Sequence, residues 1–151
     1  MLILALMLAA SPTPTDVTAI MSAAGFKKSN AEWRSDCYQP DQGPYDPGVI
    51  EHYGDINGDG RPEAIVTEGS MFCYGNTGSG FWLLTKTASG KWSKLYQSPG
   101  VAELLKTRGA DRMPDISVGG PGFCFLVVRW NGKAYVDNRF EYEGKRCRLP
   151  R

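Results

Sequence analysis

The residues of this chain best suited to chemistry are oxygen-bearing side chains in the stretch 55–63, where Asp, Asn and Asp alternate before an Arg and a Glu. Alternate side chains in a tight turn point inward, and calcium prefers about six to eight oxygen ligands. We therefore predict a calcium loop. Its ligands would be three side chains, one main-chain carbonyl and a further carboxylate, from Asp55, Asn57, Asp59, Arg61 and Glu63 respectively.

The loop differs from an EF-hand. An EF-hand needs a bidentate Glu at its twelfth position and a helix on each side, but Val66 stands at that position and 63–67 has the character of a strand. A metal-free Asn-Gly/Asp-Gly turn between two strands is the alternative. We favour the metal because closely spaced carboxylates repel one another unless a cation neutralises them.

Residues 55–67 resemble the calcium loops of FG-GAP and VCBS repeats, which carry Asp-x-Asn-x-Asp-Gly-x-x-Asp/Glu before a strand. In those families the loops recur many times and build propellers, whereas this chain has one intact copy. The chain also resembles small secreted bacterial proteins in its Cys and Gly-Phe patterns, a similarity that implies no activity. The resemblance implies calcium as cofactor.

The chain begins with an apolar run. We predict that 1–10 is a signal peptide, 11–15 a linker and 16–151 one β-rich domain, secreted or periplasmic. A buried N-terminal helix is the alternative. The net charge of +1 argues against nucleic-acid binding, and no interior run is long and apolar enough for membrane insertion after signal removal. We expect a monomer.

The chain has 4 cysteines, and none of them is in a Cys-x-x-Cys pair. Zinc would need clustered ligands, so two disulfides in an oxidising compartment explain them better. Sequence leaves the pairing open. We favour Cys73 with Cys124, because both lie beside Gly-rich turns of a repeat, and Cys37 with Cys147.

That repeat is visible in two pairs of segments. Residues 62–66 match 114–118, and 80–84 match 122–126. Each copy is predicted to be a strand, a Gly-rich crossing and a hairpin, turning at Ser89-Gly90 or Asn131-Gly132. The calcium loop is lost from the second copy. Two copies cannot close a propeller, so we predict an α+β, mostly β fold in which two strand-plus-hairpin units pack as a curled sheet or sandwich.

Two helices and a small hairpin complete the predicted fold. Asp16 is expected to cap an N-terminal helix that ends at Gly25. A second helix is predicted between the units, over 98–109, from the spacing of its apolar residues. Residues 26–34 are predicted to form a hairpin, and the Pro-rich stretch 37–48 a surface loop.

No catalytic constellation is recognisable. The single histidine, His52, lacks an evident partner and is interpreted as structural, and Gly78-Ser79-Gly80 lacks the frame and following helix of a nucleophile elbow. We therefore expect no enzymatic activity.

Binding is the better hypothesis. Most aromatic residues, including Trp82 and Trp130, are expected in the core, and loops often carry function. The candidate ligand-binding residues lie in two loops: Tyr45, Phe72, Tyr74 and Asn76. The alternative is that the inserted loop 70–79 only hosts a disulfide.

The predicted function is that of a calcium-stabilised domain that binds a protein or glycan in the cell envelope or outside the cell. One alternative is an inhibitor or immunity protein against a secreted or cell-wall hydrolase. Another is a calcium-dependent hydrolase.

Overall fold

A computed structural model describes residues 10–151, so nearly all of the predicted signal peptide lies outside the described residues. The helices are α1 (Pro14–Ala24) and the short α2 (Met71–Tyr74). The strands are β1 (Lys27–Ser29), β2 (Glu32–Arg34), β3 (Tyr45–Gly54), β4 (Glu63–Ser70), β5 (Ser79–Lys86), β6 (Trp92–Pro99), β7 (Val101–Arg108), β8 (Pro114–Gly119), β9 (Phe125–Trp130), β10 (Tyr135–Tyr142) and β11 (Lys145–Arg146).

Two antiparallel sheets dominate the molecule. The first has the order β3-β4-β5-β6 and the second β11-β10-β9-β8-β7. The strands repeat as predicted, with β4, β5 and β6 of one unit matching β8, β9 and β10 of the other. The finer match of 80–84 to 122–126 is wrong, because 80–84 lies inside β5 whereas 122–124 precedes β9. Strands β3 and β7 extend the match by one strand in each unit. The fold is therefore mostly β, as predicted, and it is built from two related strand-plus-hairpin units.

A single glycine joins the two sheets. β6 ends at Pro99 and β7 begins at Val101, so the chain passes from one sheet edge to the other at Gly100. Gly100 has φ +123°, and a Cβ placed there would lie 2.7 Å from the carbonyl oxygen of Gly119. Only glycine fits this junction without a shift of the backbone.

The first sheet is covered on both faces. Ala64, Val66, Trp82 and Leu84 pack with α1. The alternate residues of the same two strands, including Ile65, Phe81 and Leu83, pack with the second sheet. The period-2 alternation of strand side chains thus sends successive residues into two separate cores. The result is a three-layer arrangement of helix, sheet and sheet.

Helix α1 ends as predicted but starts earlier. Gly25 closes it in the left-handed conformation, whereas the N-cap is Thr13, whose side chain accepts a hydrogen bond from the Asp16 N–H. Asp16 is therefore not the cap. Its carboxylate lies in the first turn and accepts from the Trp92 indole at 3.1 Å and from the Lys86 ammonium at 3.1 Å. These contacts tie the helix to the first sheet.

The prediction of a helix over 98–109 is wrong. This segment is β7, paired with β8, and the second helix among residues 10–151 is the short α2 between β4 and β5. Ala102 and Leu104 pack against the core while Val101 and Glu103 are exposed. The alternation that pairing with β8 imposes outweighs the helical spacing of the apolar residues. The hairpin predicted over 26–34 is confirmed, with Asn30 at φ 56° in its turn.

The predicted disulfide pairing is wrong. The bonds join Cys37 to Cys73 and Cys124 to Cys147. The expected bond between the two Gly-rich turns does not form. Each turn is instead bonded to a cysteine from its own half of the chain. The two disulfides are compatible with an oxidising compartment. Among residues 10–151, no helix has the length and apolar character needed to cross a membrane.

Candidate functional site

The predicted calcium loop connects β3 to β4 and is organised around Asp55. The Asp55 carboxylate accepts hydrogen bonds from the backbone N–H groups of four residues further along the loop, with the closest contacts from Gly58 at 2.7 Å and Gly60 at 2.8 Å. Burial alone would raise the pKa of Asp55, but these N–H groups lower it. Asp55 thus stays ionised, and its hydrogen bonds to the backbone fix the conformation of the loop.

The other side chains of the loop are placed differently. Asn57 is buried and its Oδ1 accepts from the Asp59 N–H. The Asp59 Oδ2 lies 2.9 Å from the Arg61 guanidinium, and Oδ1 accepts from the Arg61 N–H. Arg61 also donates to the carbonyl of Lys86. Its side chain is therefore a surface counter-charge for Asp59, whereas the predicted contribution of Arg61 is its carbonyl oxygen.

Glu63 is the last residue of the predicted set and is fully buried. Its carboxylate accepts from the Ile56 N–H at 3.0 Å and from the Thr85 hydroxyl at 2.8 Å. Burial raises the pKa of Glu63, those two hydrogen bonds lower it, and the negative charges of Asp59 and Asp55 raise it. The net shift is upward. Among residues 10–151, no Lys, Arg or His forms an ion pair with Glu63.

Asp115 occupies the position of Glu63 in the second unit and is neutralised by arginines. It too is fully buried. Arg129 donates to it through Nε and Nη2 at 2.9 and 2.8 Å, and Arg139 donates from Nη1 at 2.8 Å. Burial would raise the pKa of Asp115, but the hydrogen bonds from Arg129, Thr107 and Arg139 hold it well below its ordinary range. Equivalent buried acids thus have opposite electrostatic surroundings.

The second unit's connection, between β7 and β8, lies against the predicted calcium loop. The Asn57 amide donates to the carbonyl of Asp111 at 3.2 Å, and Arg112 donates to the carbonyl of Gly58 at 3.2 Å. Arg108 donates to the carbonyl of Ile56 at 2.8 Å. Sequence reasoning missed these residues, because the second unit had been interpreted as one that lost its loop.

The described residues contain no group of three acidic, His or Cys side chains already gathered around a metal position. The donor set nevertheless fits calcium in kind, because it consists of carboxylate, amide and carbonyl oxygens. Asp59 is paired with Arg61, whereas the carboxylates of Asp55 and Glu63 form no ion pair with another described residue. Gly58 and Gly60, at φ +76° and +86°, let the backbone turn closely there.

The four ligand-binding candidates divide into two kinds. Phe72 and Asn76 are exposed, and Phe72 retains 66% of its accessible surface. Tyr45 and Tyr74 are half-buried, and both hydroxyls donate to Glu68. Burial and the Glu68 carboxylate raise the pKa of each tyrosine. Their polar ends are thus engaged inside the protein, while the Phe72 ring faces outward.

Phe123 is an exposed aromatic residue that the sequence did not single out. It retains 76% of its accessible surface and lies in the Gly-rich crossing of the second unit, as Phe72 lies in that of the first. Each precedes a disulfide-bonded cysteine. The two crossings are at the same end of the molecule, because a Cβ added to Gly120 would lie 3.6 Å from the hydroxyl oxygen of Thr77. The repeated Phe-Cys pair was a signal that could have identified it.

Trp130 lies beside the predicted calcium loop, whereas His52, Ser79 and Trp82 lie along β3 and β5. His52 is exposed on β3, and Ser79 is the first residue of β5. Trp82 is in the core with 3% exposure, as expected, whereas Trp130 is only partly buried. The Trp130 indole donates to the Asp111 carboxylate at 3.0 Å.

The sequence and the structure were compared with those of known proteins. No protein-family model matches the chain, and no curated protein or solved structure matches it either. The resemblance of residues 55–67 to FG-GAP and VCBS loops therefore stays a prediction based on the loop itself.

Proposed function

We propose that this protein is a secreted or periplasmic binding domain, monomeric and without catalytic activity, which calcium stabilises at residues 55–63. The observation that carries the proposal is the contrast between Glu63 and Asp115. The second unit neutralises its buried acid with Arg129 and Arg139. The first unit has an acidic, oxygen-rich loop, in which a bound cation would neutralise Glu63.

Calcium would be held by the carboxylates of Asp55, Asp59 and Glu63, the side-chain oxygen of Asn57 and the carbonyl of Arg61. It would neutralise the loop and fasten the start of β4 to the end of β3. Extracellular calcium at about 1 mM would fill a site with a dissociation constant near 10⁻⁵ M. Occupancy at about 100-fold excess adds about 2.7 kcal/mol to the folded state.

The binding role is supported by the exposed end of the molecule. Met71 and Phe72 retain 70% and 66% of their accessible surface, and Asn76 lies in the same connection. The disulfide at Cys73 anchors this connection, which reduces the entropy lost when it binds a partner. The ligand is a protein or a glycan of the cell envelope. Export agrees with the two disulfides.

Thermal unfolding of the oxidised domain in calcium and in chelator tests the proposal. Calcium should raise the melting temperature by about 8–11 °C for a stabilisation of about 2.7 kcal/mol. Asp59→Ala should abolish the rise, because the variant removes an exposed ligand. Asp41→Ala, an exposed acid in the Pro-rich loop, is the control and should keep it. An equal response of Asp59→Ala and the parent would refute the calcium site.

An inhibitor of a secreted or cell-wall hydrolase is the second candidate. Phe72 and Phe123 support it, because two exposed aromatic residues beside disulfides suit insertion into a cleft. The test is inhibition of a lysozyme and an amidase by the parent and by Phe72→Ala/Phe123→Ala. A calcium-dependent hydrolase is the remaining alternative. It would require Asp59→Ala to lose activity while remaining folded.

A further inference from the structure

A cleft of about 690 Å³ lies where the calcium loop meets the connection between β7 and β8. Pockets that hold small ligands usually measure about 300–1,000 Å³. Its walls combine apolar and polar groups from both units, among them Asn57, Asp59, Arg61, Asp111, Arg112 and Trp130. This site is separate from the exposed end that carries Phe72 and Phe123.

The charges in this cleft balance. Asp59 pairs with Arg61 at 2.9 Å. The Asp111 carboxylate and the Arg112 guanidinium form a second opposite pair of charges in the lining, the former bonded to the Trp130 indole and the latter to the Gly58 carbonyl. Two acids and two bases leave no net charge in the lining, and the carboxylates of Asp55 and Glu63 would offset the charge of a calcium ion in the loop. A phosphate-rich or strongly anionic ligand would meet as much repulsion as attraction here, which favours a neutral ligand with many hydroxyl groups.

Trp130 supplies the apolar surface. Its indole N–H is fixed by Asp111, and its ring lies 5.4 Å from the Tyr135 ring, so its orientation is held from two sides. The ring is only partly buried and lines the cleft. An aromatic face held in this way packs against the C–H face of a pyranose, while carboxylates, amides and guanidinium groups around it bond the hydroxyls.

The two walls are preorganised by direct hydrogen bonds. Asn57 bonds the Asp111 carbonyl, and Arg112 bonds the Gly58 carbonyl. Asp111 and Arg112 have φ 53° and 59°, a conformation that non-glycine residues seldom adopt. The contacts between the units therefore hold this connection in a costly shape, with its side chains along the cleft.

We infer that this cleft binds a neutral oligosaccharide, with Trp130 as the stacking surface and Asp59, Asp111 and Arg112 as hydroxyl partners. The inference rests on the proposed binding function and names the ligand class and a new location for it. Calcium at residues 55–63 would order one wall, so chelator should weaken binding.

The test uses the oxidised domain in calcium. Tetrasaccharides of β-1,4-linked N-acetylglucosamine, β-1,4-linked glucose and α-1,4-linked glucose are titrated up to about 10 mM and followed by calorimetry. At least one should bind with a dissociation constant between about 10 µM and 1 mM. Trp130→Ala should weaken that binding at least about tenfold. The control Trp33→Ala removes another partly buried tryptophan, outside this cleft, and should change the binding less than about twofold.

A second measurement covers the case in which Trp130→Ala fails to fold. In ¹H–¹⁵N spectra of the parent, the same saccharide should shift the Trp130 indole signal and the amides of Asp111 and Arg112. Arg112→Ala, a change at an exposed residue, should weaken binding about three- to tenfold. Absence of binding by all three probes overturns the inference, as does binding whose shifts cluster around Phe72.

These outcomes separate the inference from the function on which it rests. Calcium-dependent stabilisation without saccharide binding leaves the proposed function standing and rejects the cleft. Saccharide binding at Phe72 supports the binding function and likewise rejects the cleft. Shifts centred on Trp130 without any calcium response support the cleft and remove calcium from the proposed function.

Discussion

Arg139 reaches from β10 across β9 and donates a hydrogen bond to Asp115 on β8 at 2.8 Å. Only 9% of the Arg139 side chain and none of Asp115 is exposed. Thr107 on β7 and Arg129 on β9 donate to the same carboxylate. Asp115 therefore accepts hydrogen bonds from three other strands of its sheet.

Asp115→Asn should lower the free energy of unfolding by about 3 kcal/mol. Removing one partner of a buried ion pair typically costs about 3–5 kcal/mol, and the low end applies because 38% of the Arg129 side chain is exposed. Urea unfolding measures the loss. Glu103→Gln, a change at an exposed acid of β7, should alter stability by less than about 0.5 kcal/mol. Equal effects of the two substitutions would contradict the role of Asp115.

The same carboxyl should make stability depend on pH. Because hydrogen bonds from Arg129, Thr107 and Arg139 hold the folded pKa of Asp115 below its unfolded value, its contribution is fully present above the ordinary carboxyl pKa of about 4 and is lost as pH falls further. Melting temperatures of the parent and Asp115→Asn should therefore converge below about pH 4. A constant difference from pH 7 down to pH 2 would count against this linkage.

Tyr45→Phe and Tyr74→Phe should each destabilise the protein by about 1.5–3 kcal/mol, the range for hydrogen bonds to charged groups. Each removes a hydroxyl that donates to Glu68, a carboxylate with 2% exposure. Tyr38→Phe is the control, since the Tyr38 ring packs on Tyr45 but its hydroxyl does not bond Glu68. Chemical denaturation of the three variants without ligand checks this. Unchanged stability would return both tyrosines to the ligand-binding candidates.

Non-reducing peptide mapping should find Cys37 linked to Cys73 and Cys124 linked to Cys147. Replacing both members of either pair by Ala should cost about 3–4 kcal/mol, because the bonds close sequence separations of 36 and 23 residues in the unfolded chain. Thermal unfolding of the double variants gives the cost. Recovery of a Cys73–Cys124 peptide from folded, monodisperse protein would contradict the observed pairing.

Gly100→Ala should destabilise the protein by about 2–4 kcal/mol, whereas Gly90→Ala should cost about 1 kcal/mol. Both glycines have positive φ, but a Cβ at Gly100 meets the carbonyl of Gly119 and one at Gly90 meets no atom within 4 Å. The difference between the two variants in urea unfolding isolates the steric effect from the backbone effect. Equal losses of stability in the two variants would show that the contact between a Cβ at position 100 and the Gly119 carbonyl is not destabilising.

Features set by adjacent residues are predictable from this sequence. Asn30, Gly90 and Gly132 mark hairpin turns, and all three have positive φ. The Asn-Gly and Asp-Gly pairs of 55–63 likewise indicate a turn between two strands, and the chain does turn there between β3 and β4. β7 is different, because Val101, Leu104 and Leu105 satisfy a helical spacing and only pairing with β8 makes the segment a strand.

Features that depend on distant residues could not be predicted. The arginines around Asp115 come from different strands, so no local pattern connects them. The contact of Arg112 with Gly58 exists only because the two units pack with their equivalent connections together. The prediction of the disulfide pairing failed for the same reason, because the pairing depends on which distant segment lies next to each Gly-rich crossing.

Each disulfide joins cysteines that are consecutive in the chain, and neither crosses Gly100. An oxidant that pairs thiols in the order in which they emerge therefore makes both native bonds directly. The first bond closes within residues 37–73 and needs nothing from the second sheet. We therefore expect oxidative folding of this chain to need a thiol oxidase but no isomerase to correct mispaired intermediates.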